Sequence, residues 1–172
     1  SHAKWFMFAA RVVQEKRAHL LFNNGFTTET SPDGSAIFAT AHALKSGGTA
    51  RNRPATDAAL SWNSLSQAII DWQSDQKFEA GQFIMPTENL MLFVPPALLL
   101  TADRIVNSKQ LPGSADNDRN SINALFNVKV LSSPYLTDTN GWFLVAAAKD
   151  EHGFVSYERV RMTMLEPMTN SR

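Results

Sequence analysis

The chain contains no cysteine, which excludes disulfide bridges, thiolate chemistry and zinc sites built on cysteine. It has no excess of either charge, because 16 lysine and arginine residues balance 16 aspartate and glutamate residues. A global field that would steer the protein towards nucleic acid or an anionic membrane is therefore absent. The 172 residues, 44% of them hydrophobic, suit one medium-sized globular domain or one domain with a small appendage.

Long uninterrupted apolar runs are also missing. The most apolar stretch, LMLFVPPALLLTADRIVN at 90–107, is split by Pro95 and Pro96 and carries Asp103 and Arg104 in its second half. A membrane-spanning helix needs about 18 or more uninterrupted apolar residues, so this stretch is not one. No secretory signal is found at the N-terminus.

The same stretch predicts two elements joined at the prolines. Leu90 to Val94 is a continuous apolar run typical of a strand covered on both faces. Proline cannot donate to a sheet ladder but is tolerated in the first turn of a helix, so a helix over 97–108 follows. Its predicted inward residues are Leu98, Ala102, Ile105 and Val106. We expect them in one core with Trp72, Leu92 and Val94.

Helical periodicity predicts two further helices. The first covers residues 3–24 and ends at Gly25, a residue type that adopts the left-handed cap without a Cβ clash. The second runs from an N-cap at Ser61 to about Lys77. Its apolar stripe consists of Leu65, Ala68, Ile69 and Trp72.

Shorter apolar runs between turn residues predict strands, and two polar segments predict loops. The loops are 45–57 and 111–126, the second of which is long enough to suggest a functional surface. The predicted strands are 36–40, 82–85, 128–132, 142–147 and 154–164.

One spacing is typical of a metal site. Asp116-x-Asp118-x-Asn120 matches the first three ligand positions of a calcium loop. The sharp-turn position holds Ser121 instead of glycine, and the position of the bidentate glutamate holds Asn127. We therefore expect a solvated loop without metal, and no cofactor anywhere in the chain.

Ser74-x-x-Lys77 matches a serine-nucleophile spacing, but its companion motifs are absent, and we interpret it as an exposed helix turn. No Gly-x-Ser-x-Gly, phosphate-loop or dinucleotide fingerprint occurs. His42 with Asp33 is the one pair that could act as a base, which keeps a small α+β hydrolase as an alternative. A pocket lining His42 would favour that alternative. Arg51 and Arg53 lie in a glycine-rich loop and could meet a phosphate, although a solvated loop is the default for them.

The order of segments resembles a known family. The run LMLFVPPALLLTADRIVNSKQLPGSADNDRNSIN followed by VKVLSSPYLTDTNGWFLVA is similar to the major capsid proteins of tailed phages, in particular the Mu-like major head subunit. The pieces LLFNNGF, DGSAIFATAH and ALSWNSLSQAI support it. The resemblance covers most of residues 10–162.

The resemblance implies an α+β fold of the Hong Kong 97 type. In that fold an axial lobe has a central mixed sheet flanked by helices, and a peripheral lobe is built on a long spine helix. Here residues 1–58 would be the spine helix and a peripheral segment, 59–150 the axial lobe, and 151–172 a strand returning to the peripheral lobe.

The implied function is structural and not enzymatic: a phage or prophage capsid subunit that assembles into hexamers and pentamers around the genome. Its implied location is the virion, after synthesis in the cytoplasm of the bacterial host. Implied partners are further copies of itself, with scaffold, portal and non-specifically bound DNA, and no membrane. A nonviral, encapsulin-like shell protein is the alternative within this fold.

Departures from the family pattern suggest a fragment. An N-terminal arm and an extended loop precede the spine helix in the family, and further peripheral strands follow the end of this sequence, so we expect no closed shell from this chain alone. The candidates for contacts between subunits are Asp116, Asp118 and Arg119 in a loop near the axial tip, and Trp5 and Phe8 on the first helix.

Overall fold

The computed structural model describes residues 2–83, 89–111 and 118–146 of the chain. The elements are, in order, α1 (His2–Asn24), β1 (His42–Ala43), β2 (Thr49–Ala50), α2 (Trp62–Asp75), β3 (Asn89–Val94), a 3₁₀ turn (Pro96–Leu98), α3 (Leu99–Asn107), α4 (Ser121–Leu125), β4 (Asn127–Ser132) and β5 (Phe143–Ala146). The mixture of helices and small sheets confirms the predicted α+β class.

The central sheet has three strands in the order β4-β3-β5. β3 pairs with β4 in parallel, Leu92 facing Val130, and with β5 antiparallel, Leu92 facing Leu144. The sheet is therefore mixed, as expected. β3 lies in its middle, which agrees with the uninterrupted apolar sequence of that strand.

One face of the sheet carries the main core, which we call the helix–sheet core. Leu90, Leu92 and Val94 point to this face and are fully buried. α2 and α3 supply the rest of the core, whose buried members include Leu65, Ile69, Trp72, Ala102, Ile105 and Val106. Burying one leucine fully contributes about 1.5–3 kcal/mol, so this cluster dominates the stability of the fold. The predicted set is confirmed, with Leu98 packed against it but only half-buried.

Local sequence explains where these elements begin and end. Ser61 caps α2 through a capping box with Ser64, so two otherwise unpaired backbone N–H groups are satisfied. Pro95 follows β3 directly and is buried, and Pro96 opens the 3₁₀ turn, in which a missing N–H does no harm. Both boundaries agree with the sequence prediction to within two residues.

The other face of the sheet meets the end of α1 through aromatic rings, which we call the aromatic cluster. Phe22 packs against Phe93 of β3 and Phe143 of β5, with ring centroids 5.1 and 5.0 Å apart. Other members join this group by ring contacts: His19, Phe26, Phe38 and Tyr135. α1 is thus held by its last turns.

An amide clamp fixes the same end of α1. The Asn23 side chain donates to the Tyr135 carbonyl at 2.9 Å and accepts from the Thr137 N–H at 3.1 Å. Gly25 follows, and a Cβ at that position would lie 2.3 Å from the Leu21 carbonyl oxygen. Its φ is not in the positive region, so close packing and not a left-handed cap requires glycine there. The reason predicted for this glycine is wrong.

Several short elements differ from the sequence predictions. Residues 36–40 form no strand, only an isolated bridge from Ala36 to Thr30, because their backbone bonds go to Glu29, Gly25 and the Asn52 side chain. The 45–57 loop contains β2, which pairs with β1. The 111–126 loop contains α4. Of the strand predicted at 82–85, Phe83 bridges to Lys77, whereas 84–85 and the strand predicted at 154–164 lie outside the described residues.

Candidate functional site

At the start of the predicted 111–126 loop, an isolated antiparallel bridge between Gln110 and Arg119 joins residues 109–111 to residues 118–120, and we call these two segments the neck. The Leu111 N–H donates to the Asp118 carbonyl at 2.7 Å, and the Asn120 N–H donates to the Lys109 carbonyl at 3.1 Å. Asp118 and Arg119 are exposed on this neck. Asp116 lies outside the described residues. The neck thus places Asp118 and Arg119 at the surface, as their proposed role between subunits requires.

Asn120 anchors the neck to the helix–sheet core. Its side chain is fully buried and accepts from Trp62 Nε1 at 2.9 Å and from the Ile122 N–H at 3.1 Å. The side-chain amide donates to the carbonyls of Ile105 and Ser108 at 2.7 and 2.9 Å. Four hydrogen bonds use the full capacity of this side chain, and they join the start of α2, the end of α3 and the cap of α4.

These bonds exclude Asn120 as a calcium ligand. The side-chain oxygen that would face the ion already accepts two N–H groups, and the side chain is closed to solvent. Among residues 2–83, 89–111 and 118–146, no group of three or more His, Asp or Glu side chains could hold a metal ion. The calcium-like spacing is therefore an N-cap signal, with Asn120 preceding α4.

The first half of α1 presents aromatic side chains to solvent. Trp5 and Phe8 are 72% and 61% exposed, and their rings make an edge-to-face contact at 6.3 Å. They share a helix face with His19 and Phe22, since the positions follow helical spacing. The same apolar face is therefore docked at the end of the helix and uncovered at its start.

His42 lies in a polar cluster with Asp33 and Asn52. His42 Nδ1 is 2.9 Å from Asp33 Oδ2, and Nε2 is 3.2 Å from Asn52 Oδ1. A hydrogen bond from the Ser35 N–H, and after it the His42 ring, lower the pKa of Asp33 from 3.8 to about 2. The carboxylate is thus ionised at neutral pH.

This cluster resembles the acid–base half of a hydrolytic triad but does not support the hydrolase alternative. A general base needs a hydroxyl or water at its free nitrogen, whereas His42 Nε2 faces the carbonyl oxygen of Asn52, which has no proton to give. A cavity of about 190 Å³ lies nearby, lined by Thr40, Thr49, Ala50, Arg51, Asp75 and Lys77. His42 is not among the residues that line it.

The two arginines considered for phosphate binding are committed elsewhere. Arg51 Nε donates to Asp75 at 2.7 Å, which raises the pKa of the guanidinium, and Arg51 also reaches Asp71. Arg53 pairs with Asp57, and its guanidinium lies 4.8 Å from the centroid of the Phe26 ring. Both guanidiniums are paired with carboxylates, so the structure gives the phosphate hypothesis for this loop no support.

The polar residues that organise the structure escaped the sequence analysis. Asn23, Asn52 and Asn120 each join segments that are far apart in sequence, and only Asn120 carried a signal, its position before a short helix.

In the part of the chain that the structure describes, no helix combines the length and the apolar character that crossing a bilayer requires.

The comparisons with known proteins identify one family. A family model described as phage capsid protein matches residues 6–171, which is nearly the whole chain. No curated protein and no solved structure matches it. An exposed aromatic helix and a surface loop on a buried anchor suit a structural subunit. The family match establishes that this chain belongs to the phage capsid proteins.

Proposed function

We propose that this capsid subunit is similar to the Mu-like head proteins and assembles into hexameric and pentameric capsomers of the Hong Kong 97 type. The observation that carries the proposal is the family match over residues 6–171. The mixed sheet flanked by helices and the long first helix support the finer assignment. The encapsulin-like and hydrolase alternatives gain no support.

The proposed lobes follow the distribution of the core. All buried members of the helix–sheet core lie between Leu60 and Ala146, which supports an axial lobe over 59–150. Residues 1–58 would form the spine helix and part of the peripheral lobe. Residues 151–172, proposed to return to that lobe, lie outside the described residues.

The uncovered face of α1, centred on Trp5 and Phe8, is the first proposed contact between subunits. Exposed aromatic side chains of this size favour association, because each can remove a large apolar area from water. α1 carries four lysine or arginine residues and one glutamate, a net charge of +3, whereas the whole chain has zero net charge. Two such helices would repel each other, so α1 should dock on a different, less basic surface of its neighbour. A contact between unlike surfaces is what closes a ring.

The loop neck is the second proposed contact. Asp118 and Arg119 are exposed neighbours of opposite charge, and Asp116 lies two residues before them. Alternating charges suit pairing between the same loop of adjacent subunits around a capsomer axis. Scaffold, portal and packaged DNA are proposed as further partners, in the virion and during assembly in the bacterial cytoplasm.

Sedimentation velocity and electron microscopy of the purified chain across a concentration series test the α1 contact. We expect rings or other small oligomers but no closed shell, and a shift to monomer in the double variant Trp5→Ser, Phe8→Ser. Phe78→Ser is the matched control, because Phe78 is similarly exposed but lies outside α1. A monomer at every concentration, or equal assembly in all three proteins, would contradict the proposal.

A charge swap tests the neck. Asp118→Lys and Arg119→Glu should each weaken assembly, and the double variant, which restores one charge of each sign, should recover part of it. If both single variants assemble as well as the parent chain, the neck does not lie in the contact between subunits.

A further inference from the structure

We propose that His42 is a proton-dependent clasp: its doubly protonated ring holds segment 29–53 closed and thereby seats α1 on the sheet. The proposal rests on the two acceptors that face the His42 ring and on the connection of Asn52 to the aromatic cluster. It adds a conformational control to the subunit and is independent of the assembly contacts proposed above.

The orientation of the Asn52 amide is fixed by the backbone. Its Nδ2 donates to the Ile37 carbonyl at 2.7 Å, and its Oδ1 accepts from the Ala39 N–H at 3.0 Å. Reversing the amide would place donor against donor and acceptor against acceptor. The atom facing His42 Nε2 is therefore the oxygen, and a hydrogen bond there requires a proton on Nε2.

The other nitrogen of the ring also faces an acceptor. Asp33 accepts from the Ser35 N–H through Oδ1 at 3.0 Å, and its Oδ2 lies 2.9 Å from His42 Nδ1. An ionised carboxylate can only accept, so Nδ1 must carry a proton as well. The imidazolium form satisfies both bonds, whereas either neutral tautomer loses one of them and sets a lone pair against an oxygen.

The other charges near this ring are engaged elsewhere. Asp33 is the charged group in contact with His42 among the described residues, and the side chains are 18% and 16% exposed for His42 and Asp33 respectively. Arg51 and Arg53 flank Asn52 in sequence, but their guanidiniums bind Asp75 and Asp57. A single ion pair, partly withdrawn from water, thus closes the clasp.

Asn52 transmits the state of the clasp to α1. The two backbone groups that it binds belong to Ile37 and Ala39, the residues on either side of Phe38. The Phe38 ring packs against Phe22 of α1 at 6.1 Å and against Phe143 of β5 at 5.3 Å. When His42 loses a proton and releases Asn52, the backbone that positions Phe38 loses its support, and α1 is held less firmly.

His19 provides an internal contrast within the same protein. Its Nδ1 lies 2.6 Å from the Glu15 carbonyl, which can only accept, and its buried Nε2 has no hydrogen-bond partner. The Glu15 carbonyl requires a proton on Nδ1, whereas among the described residues no acceptor faces Nε2. The two histidines should therefore give different nitrogen spectra at one pH.

The first measurement is the ¹⁵N NMR spectrum of the histidine rings in the full chain at neutral pH. We expect His42 to show two protonated nitrogens and His19 one protonated and one bare nitrogen, with assignments from His42→Gln and His19→Gln. A bare nitrogen on His42 at neutral pH would overturn the proposal.

The second measurement is hydrogen exchange of segment 29–53 and of the last turns of α1, corrected for the intrinsic effect of pH. As the pH rises and the His42 ring becomes neutral, protection should fall roughly tenfold, the effect of one hydrogen bond to a charged group. β3 and β4 should show no change.

Asp33→Asn is the matched variant. An asparagine can turn either its donor or its acceptor towards the ring, so the bond should persist while its pH dependence disappears. His19→Gln should leave the pH dependence of segment 29–53 unchanged. A dependence that survives in Asp33→Asn and His42→Gln, or is lost in His19→Gln, would overturn the clasp.

Discussion

The segment from Leu60 to Ala146 and the N-terminal region, residues 2–58, are held together in different ways. The first buries aliphatic side chains between the sheet and α2 and α3, with Leu65, Leu90 and Leu92 fully closed to solvent. The second contributes no residue to that core and depends on ring contacts, ion pairs and side-chain hydrogen bonds. We expect the first to set the global stability and the second to open locally at lower free energy, since local stability follows buried apolar contact.

The largest effect should come from Asn120, a fully buried polar residue that anchors the neck to the helix–sheet core. Asn120→Ala removes four side-chain hydrogen bonds and leaves the Trp62 N–H and two carbonyls unsatisfied. We expect a loss of about 3–5 kcal/mol in the free energy of unfolding, measured by urea denaturation. Asn123→Ala, which removes one bond to the Val106 carbonyl, is the control and should cost about 1 kcal/mol. Equal losses in the two variants would show that Asn120 is not an anchor.

A graded series of leucines sharpens the contrast between buried and surface positions. Leu92→Ala removes a fully buried side chain and should cost about 2–5 kcal/mol. Leu100→Ala removes a side chain that is 79% exposed and should cost less than about 0.5 kcal/mol. Leu98→Ala should fall between them, because Leu98 only borders the core. The order of the three urea midpoints is the test, and any other order would contradict the assigned core.

In the N-terminal region, the corresponding change should be local. Asn23→Ala removes the clamp to Tyr135 and Thr137 and should lower the protection of the last turns of α1 by about 1–2 kcal/mol in hydrogen exchange. The global midpoint should change less than it does in Leu92→Ala. Arg17→Ala, at an exposed position of the same helix, should leave protection unchanged. If Asn23→Ala lowers the global midpoint as much as Leu92→Ala does, the two regions unfold as one unit.

The smallest effect concerns how the stability of the fold changes with pH under acidic conditions. Because the folded-state pKa of Asp33 is depressed to about 2 from 3.8, ionised Asp33 stabilises the fold above about pH 4, and this contribution is lost as the pH falls towards 2. Asp33→Asn should therefore be less stable than the parent near pH 5, and the difference should be much smaller near pH 2. Thermal melts at both pH values measure the difference, and a gap of the same size at both would refute the role of ionisation.

Elements built on apolar periodicity could be predicted from the sequence. α2 with its Ser61 cap, and the strand, double proline and helix from Asn89 to Asn107, need only local spacing and the chemistry of proline. Their core residues followed from the same spacing. The resemblance to phage capsid proteins also came from the order of these segments, and the family match confirms it at that level.

The remaining structure depends on polar bonds between distant residues, which periodicity does not encode. Trp62 meets Asn120 across 58 residues, and the Trp142 ring donates to the Ala58 carbonyl across 84. The β1–β2 hairpin and α4 are too short for a periodic signal. The sequence paired His42 and Asp33 as candidates for a general base. The contact between His42 Nε2 and the Asn52 side-chain oxygen, which argues against that role, could not be inferred from spacing.

The docking of α1 has a consequence for synthesis on the ribosome. α1 is made before the sheet on which it docks, and Asn23 is clamped to Tyr135, which follows 112 residues later. At ordinary translation rates the helix waits roughly 6 to 22 s before that partner emerges. During this interval the side chains of Trp5, Phe8 and Phe22 are available to chaperones and to neighbouring nascent chains. Chaperone binding to α1 would prevent its aggregation until the sheet has been made.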